Sequence, residues 1–119
     1  MDVYYFVDGR GNAPVEEFID ILSPDEQAKA FAYIAELRKQ GHNLRRPLAA
    51  PVKNGIYELR PKSNRLFYFF FHRDYIILVH AIRKKTDAVP QRDIDLALRR
   101  KVFIEQHQSQ PKLAKAELL

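Results

Sequence analysis

Cysteine is absent from the 119 residues, which excludes a disulfide scaffold and a thiolate metal site. No run of about 18 apolar residues exists either, so no membrane-spanning helix is expected. The opening Met1-Asp2-Val3 does not begin a signal peptide, and the chain reads as cytoplasmic with no membrane partner. The third scarcity is one of sign. Residues 38–119 hold only seven acidic side chains against eighteen basic ones, a net of +11. Residues 1–37 hold eight acidic and two basic ones (Arg10 and Lys29), a net of −6. The overall +5 hides this segregation. Separated charge of this kind predicts a polyanionic partner for the second two-thirds of the chain.

What is present suits one compact domain with a single core: 46% of the residues are hydrophobic. Val3 to Val7 is β-branched and aromatic and predicts a strand. Gly9, Gly11 and Asn12 break the chain, and Pro14 stands near the first position of a helix. Val15, Phe18, Ile19 and Leu22 recur at i, i+3, i+4 and i+7 as one apolar stripe. Ser23-Pro24-Asp25-Glu26 is a capping box that opens a second helix, with its acids at the positive end of the dipole. Ala28, Phe31, Ile34, Ala35 and Leu37 are expected on its buried side, and Gly41 ends it. Residues 42–54, with Pro47 and Pro51, read as an extended connection. Strands are then expected at about 55–60, 65–72 and 75–83, joined by hairpins at Pro61-Lys62-Ser63-Asn64 and Arg73-Asp74. Phe67 to Phe71 are apolar on both faces, which suits a central strand covered on both sides. A last helix begins near Pro90, capped by Thr86 or Asp87, and carries Ile94, Ala97, Leu98, Val102 and Ile104. The expected order is β-α-α-β-β-β-α, an α+β fold with an antiparallel sheet of about four strands. The domain is taken as 1–108, with 109–119 as a flexible, polar tail.

Strand direction alternates in a meander. The end of the second strand (Arg60), the start of the third (Arg65) and the end of the fourth (Arg83, Lys84, Lys85) should therefore meet at one end of the sheet, with Lys62 in the turn above. Like charges at close range repel, so such an end becomes favourable only when an anion arrives. Single members have plainer uses: Arg60 can pair with Glu16 or Glu17, and Lys84 can be solvated. The convergence of five cations is harder to explain that way.

The run YELRPKSNRLFYFF, followed by LVHAIRKKTDAVPQRDIDLALRR, resembles the RelE/ParE superfamily of toxins from type II toxin–antitoxin modules, and most of all its HigB-like, phage-related branch. The resemblance spans roughly residues 3 to 105. It implies a RelE-like fold and a ribosome-dependent endoribonuclease that cleaves mRNA in the A site, inhibits translation and is silenced by a cognate helix-turn-helix antitoxin. It implies functional roles for Arg60 and Arg65, and for Lys85 with Lys84 beside it. Two departures stand out. Glu58 occupies a place where some members have a lysine, and no tyrosine follows Tyr75, where the best-studied branch uses one in its last helix.

For an RNA-cleaving member, the substrate's 2′-hydroxyl attacks the adjacent phosphorus. That reaction needs a proton acceptor, a proton donor for the leaving 5′-oxygen, and cations around the phosphorane. It needs no metal and no small-molecule cofactor. Arginine cannot be the base but clamps phosphate oxygens in a bidentate fork, a role that suits Arg60 and Arg65. Lys84 or Lys85, with a pKa lowered by neighbouring cations, suits proton shuttling. His80 lies four residues before Lys84 on one strand, so both point to one face, and it suits base chemistry near neutral pH. A hydrogen-bonded core histidine is the plainer account of it. Lys62, Arg45, Arg46 and Arg83 would follow the RNA backbone, and Tyr57 would stack on a base. Arg99-Arg100-Lys101 reads as a helix face on the basic side of the charge divide. His42, His72 and His107 have no metal-ligand spacing. Gly9-Arg10-Gly11 lacks the lysine and helix of a phosphate loop. Two alternatives remain open: a non-enzymatic ParE-type inhibitor of DNA gyrase, and an inactive basic domain that only binds its partner.

Overall fold

The structure, a computed structural model, describes residues 1–85, 88–107 and 113–116. Its strands are β1 (Asp2–Phe6), β2 (Ala49–Lys53), β3 (Ile56–Leu59), β4 (Asn64–Phe71), β5 (Tyr75–Arg83) and β6 (Leu113–Lys115). Its helices are α1 (Pro14–Asp20), α2 (Pro24–Gln40) and α3 (Gln91–Gln106). Among the described residues no helix is long and apolar enough to cross a membrane.

The α+β class and the expected elements are present, but the sheet is larger than expected and is not purely antiparallel. Among the described residues, six strands lie in the order β2-β3-β4-β5-β1-β6. β1 joins β5 in parallel, Val3 opposite Ile76, whereas β3, β4 and β5 form the expected antiparallel meander. The first addition, β2, lies within the stretch read as an extended connection. Pro51, the apparent breaker, is exposed on this edge strand, where proline's missing N–H costs no ladder bond. Asn54 (φ 48°) and Gly55 (φ 85°) turn β2 back onto β3, and Asn-Gly is the strongest two-residue hairpin signal. The second addition, β6, falls in the stretch expected to be a loose tail: Tyr5 pairs with Ala114, and Ala116 donates to the Val3 carbonyl.

The sheet is covered on both faces, as the doubly apolar β4 requires. Leu59, Leu66, Tyr68, Ile76 and Leu78 pack under α1 and α2, while Ile56, Phe67, Phe69, Ile77 and Val79 pack under α3. Ser23 caps α2 as expected, accepting the Glu26 N–H at 3.3 Å. The buried stripe of α2 runs through Ala30, Ile34 and Leu37, and Ala28 and Ala35 face solvent instead. Val102 of α3 is likewise exposed rather than buried. α3 starts after Pro90 with no side-chain cap among the described residues, and the expected caps Thr86 and Asp87 lie outside them.

Candidate phosphodiester site

β3, β4 and β5 bring the cations to one end of the sheet. Arg65 lies opposite Ile82, Leu59 opposite Leu66 one step before Arg60, and the Lys84 N–H extends the ladder to the Ser63 carbonyl at 2.7 Å. The register then sorts the side chains by face. On β4, Arg65 shares the α3 side with Phe67 and Phe69, because side chains alternate along a strand. On β3, Glu58 takes the same side as Ile56, opposite Phe67.

His80 reaches that side through a bulge. Tyr68 pairs with Leu78 but Phe67 pairs with His80, so Val79 is an extra residue in β5. Strict alternation from Leu78 would send His80 under α1 and α2. The extra residue turns it to the α3 face instead, where its ring stacks on Phe67 with centroids 5.8 Å apart. From α3, Asp93 meets it, Oδ1 lying 2.8 Å from Nε2. Glu58, Phe67 and His80 thus form one row across three strands, and Arg65 and Ile82 form the next row toward the strand ends.

The arginines are held firmly. Arg60 makes its ion pair with Glu58, not with Glu16 or Glu17: Nε and a terminal nitrogen both meet Oε1 at 2.9 Å. Glu58 is itself buried, and among the described residues its Oε2 has no hydrogen-bond partner. Arg65 donates from one terminal nitrogen to the carbonyls of Lys62 and Asn64, both at 2.8 Å. Its Nε is buried and, among the described residues, unpartnered. Burial draws the Arg65 guanidinium below the usual arginine range, with Glu58 opposing that shift and Arg60 adding to it. Buried polar atoms without partners are rare in folded chains.

His80 is mostly buried, and burial is the main reason its pKa falls below the ordinary histidine value; Asp93 opposes the shift and Arg100 adds to it. The ring is therefore neutral near pH 7. With Nε2–H donated to Asp93, its lone pair resides on Nδ1.

The remaining predicted residues divide. Lys84 is half-buried at the end of β5, and Lys85 and Lys62 are exposed beside it. Arg83 is not part of the cluster on the α3 face: it projects to the other face, where it donates to Glu26 at 2.7 Å. Tyr57, Arg45 and Arg46 also lie on the other face, around a cavity beside the edge of the sheet. Arg100, read from the sequence only as part of a helix face, donates to the Val79 carbonyl at 2.7 Å and covers the Phe6 ring. Asp93 and Arg100 escaped sequence reasoning because each acts across a helix–sheet contact that no spacing reveals. Glu58 drew notice only as a departure, although its two-residue spacing from Arg60 was a usable signal.

The described fold is a compact α+β domain consistent with a RelE-like architecture, with a cationic sheet end that carries an imidazole and carboxylates. Residues 17–102 match the family described as phage derived protein Gp49-like (DUF891), and the chain belongs to that family, a RelE/HigB-like toxin family of toxin–antitoxin systems. The match contains every residue of the site from Glu58 to Arg100. No curated protein matches the chain.

Proposed function

We propose that this protein is the toxin of a type II toxin–antitoxin module and that it acts as a ribosome-dependent mRNA endoribonuclease. One observation carries the reading. Arg60, Arg65 and a carboxylate-held neutral His80 share one face at one end of the sheet, with Lys84 beside them. Two guanidinium forks suit the non-bridging oxygens of a phosphodiester. A neutral imidazole next to them suits proton transfer at physiological pH.

In this mechanism the 2′-hydroxyl oxygen attacks the adjacent phosphorus while its proton passes to His80 Nδ1. Asp93 holds the ring and stabilises the imidazolium that forms. Arg60 and Arg65 take the negative charge of the phosphorane. The bond from phosphorus to the 5′-oxygen breaks, and the protonated Lys84 amine gives that oxygen its proton. The products are a 2′,3′-cyclic phosphate and a free 5′-hydroxyl. Glu58 orients Arg60. Lys85 and Lys62 meet flanking phosphates of a message lying in the ribosomal A site. The partner that silences the protein is a helix-turn-helix antitoxin, which must cover or neutralise this end.

The test is translation on purified ribosomes with mapping of message 5′ ends. Arg65→Ala should lower cleavage by on the order of a hundredfold to a thousandfold, the usual loss for one preorganised donor. Arg65→Lys should recover only part of it, because the fork is gone. Intact messages with wild-type protein would refute the reading, and relief of supercoiling defects by gyrase-resistant subunits would then mark a gyrase inhibitor.

A further inference from the structure

The opposite face of the sheet carries a second feature. Near the β2–β3 edge, where α1 and α2 leave the sheet for β1 and β5, a cavity of about 450 Å3 opens. Tyr57, Tyr68 and Phe70 form its aromatic wall, with Tyr57 5.6 Å from the Tyr68 ring and 5.5 Å from that of Phe70. The exposed His42 ring stacks on Phe70 with centroids 3.8 Å apart. Arg45 and Arg46 supply the charge, and among the described residues no carboxylate lines the cavity. One terminal nitrogen of Arg45 holds the carbonyls of His42 and Leu44, which fixes the loop. Arg46 is exposed and, among the described residues, makes no hydrogen bond or ion pair.

A surface that offers ring faces and guanidinium groups, and no anion, fits a ligand that is both planar and negatively charged. We propose that this cavity is a subsite for one unpaired nucleotide of an RNA strand, its base against His42 and Tyr57 and its phosphate on Arg46. The assignment rests on the endoribonuclease reading and extends its substrate beyond the cleaved phosphodiester. Two observations favour RNA over an extended peptide. The loop that bears Arg45 and Arg46 is fastened to the strand that bears Arg60: Leu48 accepts the Arg60 N–H at 2.8 Å, and the Arg45 carbonyl accepts from Leu48 and Ala49. A strand leaving the cationic end therefore meets this loop next and turns over the sheet edge into the cavity. In addition, the neighbouring edge strand β2 contains the exposed Pro51, which interrupts the N–H row that a peptide strand would need. Stacking on aromatic side chains with arginine on the backbone is how single-stranded RNA is held without base pairing.

The experiment measures binding of a short fluorescent 2′-O-methyl RNA to the full chain by anisotropy. That ligand has no 2′-hydroxyl and cannot be cleaved, so the result does not depend on whether the protein is an enzyme. Arg46→Glu and His42→Ala alter exposed side chains and should each weaken binding by roughly tenfold to a hundredfold, the range expected for one stacked base or one phosphate contact. Tyr57→Ala should do the same and Tyr57→Phe should restore it, with circular dichroism verifying the fold. A duplex of the same sequence should bind less well, since its bases are unavailable. Binding unchanged in Arg46→Glu and His42→Ala overturns the proposal. So does loss of antitoxin binding in these variants with RNA affinity intact, which would make the cavity a protein-docking surface. Failure of wild-type cleavage on ribosomes with these RNA effects present would instead refute the enzymatic reading and leave the subsite standing.

Discussion

At His80 two environments compete. Burial disfavours the imidazolium, and Asp93 favours it; burial is the larger, so the pKa lies below its ordinary value. The consequence for activity is specific. Asp93→Asn removes the charge that opposes the downward shift, so the acidic limb of the cleavage profile should move to lower pH while the rate falls. A purely structural role for Asp93 would lower the rate at every pH and leave the limb where it was. The consequence for stability has a fixed sign. The unfolded chain takes up the histidine proton at about pH 6.5, before the folded chain does. The stabilisation is complete above that pH and is lost as pH falls through the folded value. Urea midpoints measured at pH 7 and about pH 5 should differ more in the wild type than in His80→Asn.

At the scale of elements, the bulge in β5 is the device that builds the site. It needs support, and Val79 is buried with its carbonyl accepting from Arg100 in α3 at 2.7 Å. Arg100→Met keeps a long side chain over Phe6 but removes the hydrogen bond to that buried carbonyl. A hydrogen bond from a charged group contributes about 1.5–3 kcal/mol, so the urea midpoint should fall accordingly. Cleavage should fall too, since the bulge that aims His80 is loosened. The opposite face has a comparable tie. Glu26, in the first turn of α2, accepts from Asn64 at 2.9 Å and from Arg83 at 2.7 Å, which binds the start of α2 to the start of β4 and the end of β5. These bonds, that from Asn64 foremost, hold its carboxyl below the ordinary glutamate range. Ser23→Ala removes the cap just before it and should cost about 1 kcal/mol, read as a drop in melting temperature with activity retained.

For the whole molecule, the segregation of charge recorded in the sequence becomes a segregation of surfaces. The acidic segment supplies α1 and α2, and the basic segment supplies β2 to β5 and α3. Glu26 with Arg83 joins the two segments at the sheet end, so the polarity also contributes to cohesion. A net of +11 over residues 38–119 should make RNA binding strongly salt-dependent. Plotted as log affinity against log salt, the slope should be linear and should shrink by about one for each phosphate-contacting lysine or arginine removed. Lys62→Ala and Lys85→Ala, both exposed, are the variants that measure it. Antitoxin binding should weaken with salt as well if its cover is acidic, and an affinity that ignores salt would indicate an apolar interface.

Local physics determined much of this protein in advance. The capping box of α2, the apolar stripe of α1 and the doubly apolar β4 are consequences of periodicity and cap chemistry. With them came the α+β class, the meander, and the meeting of Arg60, Arg65 and Lys84 at one sheet end, because antiparallel pairing leaves no other place for them. The Asn54-Gly55 hairpin was legible too, but Pro51 masked it, since the rule against proline in strands lapses at an edge that no sequence pattern identifies. Other features belonged to the tertiary structure alone. The parallel β1–β5 pairing and the β6 strand depend on which edge of the sheet remains open after the meander forms. The partners Asp93 and Arg100 lie on α3 and act through contacts 13 and 21 residues from their targets. The face on which His80 emerges depended on a single extra residue. Side chains alternate with a period of two, so one inserted residue reverses every position beyond it. The sequence contained the histidine, but the packing of β5 against β4 and α3 decided that it would stand beside Arg65.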